Sequence, residues 1–126
     1  DKTLQKKVED LPELLKTNIE LILGNHDVGC VIKNLKILNI RKTKNLSFSH
    51  EPVNSEDNKT LNICGHYHPK IYLKNNGDRL SFRCFAMDMK KNTLYLPAFG
   101  DLTGGYPCKK SFKKWAILSE NEILEI

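Results

Sequence analysis

Three short apolar runs in this chain each end in a polar loop that carries histidine. The runs span residues 19–23, 46–49 and 61–64, and each has the length of a single strand. All four histidines follow them, in the motifs Gly24-Asn25-His26-Asp27, Ser49-His50-Glu51-Pro52 and Gly65-His66-Tyr67-His68. In an open α/β sheet, ligands bind where the carboxyl ends of strands meet. The sequence therefore predicts one open sheet whose edge gathers these side chains.

The side chains in these motifs are of the types that bind transition metals. Neutral imidazole is the commonest metal ligand in proteins, and the amide oxygen of Asn25 can join it. His66 and His68 stand two residues apart, so in an extended segment both rings point to the same side. We also expect Asp27 to hold His26 in one tautomer and keep it protonated. Together these residues predict a metal site with a proton donor beside it.

Each motif, taken alone, also has a purely structural interpretation. Asn-His-Asp is a good turn sequence, His50 could be a partly buried histidine at a strand end, and His-x-His could be an exposed pair before Pro69. The metal hypothesis depends on the three motifs occurring together. The glycines agree with it, because Gly24 frees the backbone to turn and Gly65 has no side chain where a metal must approach closely.

The remaining sequence indicates two helices and a meander of strands. Leucine and valine residues at helical spacing predict an amphipathic element over residues 4–15, which Asp10 and Pro12 could divide into two short helices. Further strands are predicted over residues 35–40, 71–73, 79–86, 93–96, 115–118 and 122–126. Residues 75–78 and 119–122 have the composition of hairpin turns. The predicted fold class is α/β.

Length and composition describe an ordinary soluble domain. The 126 residues are 40% hydrophobic and 28% charged, which excludes disorder. No apolar run approaches the roughly 20 residues of a membrane span, so we expect no membrane partner. The four cysteines form no Cys-x-x-Cys pair, and Cys64 and Cys84 lie in apolar runs. This pattern indicates buried free thiols and a cytoplasmic location.

The formal net charge is +5, and basic residues cluster in three places. The clusters lie at residues 41–44, 90–91 and 109–114. Such clusters could steer a polyanion such as nucleic acid, or they could form a solvated lysine-rich surface. Charge alone leaves both interpretations open.

The ordered motifs resemble the last three motifs of the calcineurin-like metallophosphoesterases. Residues 96–105, Leu-Pro-Ala-Phe-Gly-Asp-Leu-Thr-Gly-Gly, are similar to the ligase-associated DNA-damage-response endonuclease branch and its archaeal relatives. A glycine-rich hairpin that lines the core is the alternative interpretation of that stretch. The resemblance runs from about residue 19 to the end of the chain. It implies an α/β fold of the metallophosphatase type, a β-sandwich flanked by helices.

This resemblance also implies roles for individual residues. It assigns metal binding to four side chains, Asn25, His50 and His66 for the second cation and His68 for the first. His26 would face the scissile phosphate as a catalytic proton donor, and Asp27 would orient it. Two divalent cations, manganese first, with iron or zinc as alternatives, would share a hydroxide that attacks phosphorus in line. The resemblance assigns no substrate-binding residue here.

The family's first two motifs, which supply the metal-bridging carboxylate, have no match in the sequence. We therefore expect residues 1–126 to form a single partial domain, the carboxyl-terminal half to two-thirds of a metallophosphoesterase, inactive alone. The implied substrate is a phosphoester, with nucleic acid as one class. The implied partner is the missing amino-terminal segment or a DNA-repair protein. Two alternatives stay open: a non-catalytic remnant that serves as an interaction module, and a single-metal protein that uses Asn25, His50 and His66.

Overall fold

The computed structural model describes residues 2–54, 59–75, 77–100 and 103–126. It begins with two short helices, α1 (Lys2–Glu9) and α2 (Leu11–Leu15), so the predicted division near Asp10 is confirmed. Asp10 is the N-cap of α2, but its side chain makes no capping hydrogen bond. The apolar face of these helices is largely open to solvent, since Leu4, Leu14 and Leu15 are all exposed.

Strands make up most of the remaining chain. The pair β1 (Glu20–Ile22) and β2 (Lys36–Leu38) forms a parallel two-stranded sheet. The other nine strands belong to one larger sheet and are β3 (Ile40–Lys42), β4 (Leu46–Ser49), β5 (Leu61–Cys64), β6 (Pro69–Asn75), β7 (Asp78–Asp88), β8 (Thr93–Tyr95), β9 (Tyr106–Pro107), β10 (Lys113–Ser119) and β11 (Glu122–Glu125). A mixed sheet with few helices confirms the predicted α/β class.

The larger sheet has the order β11-β10-β7-β8-β5-β4-β3, with β6 and β9 joined to it through β7. Strand β5 runs parallel to both β4 and β8, whereas the pairs β3–β4, β7–β8, β7–β10 and β10–β11 are antiparallel. In the β4–β5 register Ser49 lies opposite Cys64, and the Gly65 amide donates to the His50 carbonyl at 3.1 Å. Two histidine-bearing loops therefore leave the sheet side by side.

The prediction that all three histidine-bearing loops follow strands of one sheet was wrong for the first loop. Its strand, β1, belongs to the separate two-stranded sheet. The reason lies at Asn39, the single residue between β2 and β3. Strand β2, before Asn39, pairs with β1 in parallel, whereas β3, after Asn39, pairs with β4 in antiparallel orientation. The two sheets are therefore joined by continuous chain, which keeps the first loop close to the second.

The long strand β7 organises the second half of the chain. Its first residues pair with β6, and its last residues pair with β8 and β10. Both predicted hairpins are confirmed, since Asn75 lies opposite Asp78 and Ser119 opposite Glu122, although Asn76 lies outside the described residues. The two-residue strand β9 was not predicted. It pairs in parallel with Pro69 and Lys70 of β6.

The core consists of two small clusters between these strands. One contains Cys64, Ala86, Tyr95 and Phe112, and the other contains Ile71, Cys84 and Ala116. The predicted burial of Cys64 and Cys84 is confirmed, and all four cysteines are free thiols. Burial raises the pKa of each of these two thiols to about 12. Among the described residues, no helix has both the length and the apolar character needed to cross a membrane.

Candidate metal centre

The first motif forms a tight turn at the end of β1. The Asp27 amide donates to the Gly24 carbonyl at 3.1 Å, and the Gly24 amide donates to Asp27 Oδ2 at 2.9 Å. Backbone and side chain of Asp27 thus close the turn together, as aspartate commonly does. Asn25 and His26 occupy the two central positions and are exposed. The turn interpretation and the ligand interpretation are therefore compatible, because the turn is what presents Asn25.

Three side-chain atoms from three loops meet at one point. His50 Nε2 lies 2.9 Å from Asn25 Oδ1 and 3.0 Å from His66 Nδ1. The two imidazole rings meet edge to face, with their centroids 5.0 Å apart. Each of the three atoms can offer a lone pair. We call Asn25, His50 and His66 the trio.

The spacing within the trio fits one divalent cation. Two ligand atoms bound at about 2.1 Å to one cation, at a right angle, lie about 3.0 Å apart. Both measured distances agree with that value. All three ligands are uncharged when they bind, so a cation held by the trio alone would keep its full charge. Stable binding at this point therefore calls for an anionic group as well.

The described residues alone do not complete a second cation site. Within residues 2–54, 59–75, 77–100 and 103–126, no three His, Cys, Asp or Glu side chains come close enough to hold a metal by themselves. The trio itself contains only two such side chains, because its third member is an asparagine. His68 lies in the same cleft, but no described hydrogen bond joins it to the trio. The two-cation arrangement stays a prediction.

All the predicted metal ligands and His26 line one cleft of about 570 Å³. Its walls are formed by four segments of the chain, and the lining residues are Asn25, His26, His50, His66, His68, Thr103, Gly104, Gly105 and Tyr106. Asp27 is not among them. Its carboxylate bonds to the Gly24 amide, and no described contact joins it to His26. Orientation of His26 by Asp27 therefore stays a prediction.

The loop that carries His66 and His68 is bent rather than extended, so that part of the prediction was wrong. Both histidines have left-handed backbone conformations, with φ of 51° and 46°. The Tyr67 amide donates to the Gly65 carbonyl at 2.6 Å, which closes a very tight turn centred on His66. Residues other than glycine rarely adopt such angles, and clusters of them mark functional sites. The tight bend, rather than strand alternation, brings both imidazoles to the cleft.

Close packing occurs at Gly24 rather than at Gly65. A methyl group on Gly24 would lie 3.0 Å from Asp27 Oδ2 and 3.1 Å from the His50 ring. At Gly65 the nearest atom would be His50 Nδ1, at an ordinary 4.0 Å. The described atoms therefore give no steric need for glycine at position 65. Gly24 is the glycine that lets the first turn pack against His50.

The surroundings of His68 favour its neutral ring. Burial lowers the pKa of His68, and positive charge on His50, His66 and Lys70 lowers it further. A neutral imidazole keeps the lone pair that a metal needs. The geometry and the electrostatics of His68 both suit a ligand.

Glu51 lies beside the trio and Tyr106 lines the same cleft, and the sequence identified neither as part of the site. Glu51 Oε1 lies 4.0 Å from His66 Nε2, on the side of the ring away from His50. Carboxylates in that position commonly orient metal-binding histidines.

Thr103, Gly104 and Tyr106 line the cleft, and residues 103–105 belong to the stretch that resembles the ligase-associated endonuclease branch. Asp101 and Leu102 of that stretch lie outside the described residues.

Comparison with known proteins adds a likeness in fold. No protein-family model matches the chain, and no curated protein matches it. The structure is similar to the crystal structure of Pseudomonas putida nuclease MPE, with a TM-score of 0.74 and 24% sequence identity. The match covers 95% of this chain and 60% of that nuclease, so the chain spans less than two thirds of its length. At this identity the likeness establishes a shared fold.

Proposed function

We propose that this chain carries one part of the active site of a metal-dependent phosphoesterase of the nuclease type. The observation that carries the proposal is the meeting of Asn25 Oδ1, His50 Nε2 and His66 Nδ1 at about 3 Å spacing. The likeness in fold to a nuclease supports it. We place the chain, within this proposal, among the calcineurin-like metallophosphoesterases, in or near the ligase-associated endonuclease branch.

The trio would hold one divalent cation and His68 would contribute to a second. Manganese is our first candidate, followed by iron and zinc, since amide, imidazole and carboxylate ligands suit all three. Cations at such sites supply charge neutralisation of the phosphate and activation of water. His66 would be steadied by Glu51, which faces its other ring nitrogen. The surroundings of His68 favour its neutral ring, and a neutral ring would let His68 bind the second cation.

The proposed role of His26 is to hold and deliver a proton. It is exposed at the cleft, next to Asn25 in the first turn. In this role its ring would protonate the leaving oxygen of a phosphoester bound in the cleft. Asp27 would act indirectly, by closing the turn that fixes the position of His26.

Catalysis would require carboxylates that the cleft residues in the described part of the chain do not supply. We propose that a further polypeptide segment brings them, either attached to this chain or as a partner. The 60% coverage of the similar nuclease agrees with such a division. We also propose that the protein acts in DNA repair and is located in the cytoplasm. Its free cysteines support a reducing compartment.

Metal titration tests the proposal directly. Isothermal titration of the chain with manganese or zinc should show binding at one site, and the affinity should be weak because the trio supplies no anionic ligand. His50→Ala should abolish it, because His50 is the member of the trio that contacts both others. Hydrolysis of bis-p-nitrophenyl phosphate with manganese should stay at background for the chain alone. Unchanged metal binding by His50→Ala would overturn the metal assignment, and rapid hydrolysis would overturn the need for further carboxylates.

A protein that binds a single metal is the second candidate function. It is favoured by the compactness of the trio, which His68 does not join through any described hydrogen bond. Metal stoichiometry separates the two candidates. A binding ratio that stays at one when an acidic segment is added favours the single-metal protein, whereas a ratio of two favours the phosphoesterase.

A further inference from the structure

Tyr106 brings an aromatic ring to the edge of the histidine cleft. Its side chain lines the same cavity as His66 and His68, yet the residue is 64% exposed. A ring left this open to water gains little from burial. The position therefore raises the question of what covers the ring when the cleft is occupied.

The backbone holds Tyr106 in place beside His68. The Tyr106 amide donates to the His68 carbonyl at 3.2 Å, and Pro69 lies opposite Tyr106 in the β6–β9 pairing. Gly105 packs so closely against the His68 carbonyl and the Lys70 side chain that a methyl group would overlap them. The backbone that carries the ring thus has little freedom to move away from the cleft, which lowers the ordering cost for a ligand that meets the ring.

One face of the Tyr106 ring is covered by protein. Tyr67 stacks on it with centroids 5.9 Å apart and an interplanar angle of 20°. The Tyr67 hydroxyl donates to the Pro107 carbonyl at 2.6 Å, which fixes the supporting ring. Tyr67 in turn meets the buried Tyr95, which stacks on the buried Phe112. A row of four rings therefore anchors Tyr106 in the core and leaves its second face to solvent.

We propose that the open face of Tyr106 stacks against an unpaired nucleobase next to the phosphate bound in the cleft. The inference rests on the proposed function for the phosphate position only. Every base has an apolar π face, and stacking on tyrosine binds bases with little regard to sequence. A base stacked within a duplex has no free face, so the ligand is a nucleotide with an unpaired base.

One basic side chain near the ring suits the backbone of such a ligand. Lys70 packs beside Gly105, the residue that precedes Tyr106. A lysine ammonium attracts phosphates without reading sequence. The ring selects an unpaired base, and Lys70 contributes affinity for its backbone.

Oligonucleotide binding without metal tests the platform separately from hydrolysis. We would measure fluorescence anisotropy of a short labelled oligothymidylate, and of the same length of abasic backbone, with chelator present. Tyr106→Leu should weaken binding of the oligothymidylate by about 5- to 100-fold, the range measured for loss of one base stack. Tyr106→Phe should retain the affinity. Phe99→Leu is the matched control, because Phe99 is fully exposed but lies outside the cleft.

The abasic backbone distinguishes the base from the sugar and phosphate. Tyr106→Leu should bind it as well as the unsubstituted protein does. Equal losses on both ligands would overturn the proposal, because the ring would then contact the backbone. No effect on either ligand, or no binding by the unsubstituted protein, would also overturn it. A failure of manganese-dependent hydrolysis with the stacking effect intact would count against the proposed function alone.

Discussion

The side-chain amide of Asn62 donates to Ser49 Oγ at 3.0 Å and thereby ties β5 to the last residue before His50. The same NH₂ group donates to Ser47 Oγ at 3.1 Å, and Asn62 Oδ1 accepts from the Val53 amide at 3.0 Å. Asn62 is 1% exposed. It therefore fixes the loop of residues 50–53 at both ends, from inside the protein.

Replacing Asn62 should be among the most destabilising single changes in the chain. Asn62→Ala removes one hydrogen bond from each of Ser47, Ser49 and Val53, and a buried polar group that loses its partner costs about 1–3 kcal/mol. We expect the free energy of unfolding to fall by about 3 kcal/mol, measured by urea denaturation. Asn121→Ala, in the exposed β10–β11 turn, is the matched control and should change it by less than about 0.5 kcal/mol. A loss of similar size in both variants would contradict this account of Asn62.

Two adjacent glycines should respond very differently to alanine. At Gly105 the added methyl group overlaps the His68 carbonyl and lies 2.9 Å from Lys70 Cγ, whereas at Gly104 no atom of the described residues lies within 4 Å. Gly105→Ala should therefore displace β9 from β6 and lower the free energy of unfolding by about 1–3 kcal/mol. Gly104→Ala should be nearly neutral. Thermal unfolding of both proteins gives the comparison, and equal melting temperatures would refute the close packing at Gly105.

Substitutions in the trio and at His26 should have different effects on metal affinity. His66→Ala removes an atom 3.0 Å from His50 Nε2, so metal affinity should fall by more than the roughly 10- to 100-fold that loss of an outer-shell partner costs. His26→Ala should leave the affinity within about 2-fold, because His26 faces the substrate in our assignment. Competition titration with a chromophoric chelator measures both. Equal losses would make His26 a ligand.

Once the acidic segment is supplied, His26→Ala should still slow hydrolysis. Loss of a general acid typically lowers kcat by about 10²- to 10⁴-fold. Metal content measured on the same samples shows whether the metals remain bound. Full activity in that variant would remove His26 from the catalytic assignment.

The buried thiols predict a distinct dependence of stability on pH. The pKa of Cys64 and Cys84 is about 12 in the folded protein, compared with about 8.5 for a thiol in an unfolded chain. The folded state holds these protons more tightly. Their contribution is fully present below about pH 8.5 and is lost as the pH rises from there toward 12. Urea midpoints at about pH 7.5 and 10 should show the fall, and Cys64→Ala should reduce it.

The sequence was sufficient to predict the strands that deliver the histidines. The bounds of β4 and β5 were correct because their apolar runs are short and end in polar motifs. The placement of β1 was not predictable. Before Asn39 the chain pairs with β1 and after Asn39 it pairs with β4, and no local sequence pattern encodes this change of neighbour. Sequence periodicity describes a strand but does not identify its neighbour.

The candidate site was predictable in its residue types and less so in its geometry. Asn25, His50 and His66 were expected together, and the structure brings them together. The bend at His66 and His68 could not be read from a His-x-His spacing, which suggests an extended segment. Tyr106 was missed because β9 is only two residues long and its role depends on packing against Tyr67. Contacts between segments distant in sequence decide such positions.

The left-handed backbone at His66 and His68 is more stable with glycine, whereas ligand binding requires the imidazole side chains. A side chain at such a position costs roughly 1–2 kcal/mol relative to glycine. His68→Gly should therefore give a more stable protein than His68→Ala, although both lose the imidazole. A population of variants selected only for yield or solubility would accumulate glycine at these two positions. Histidine would persist there only under selection for what its ring binds.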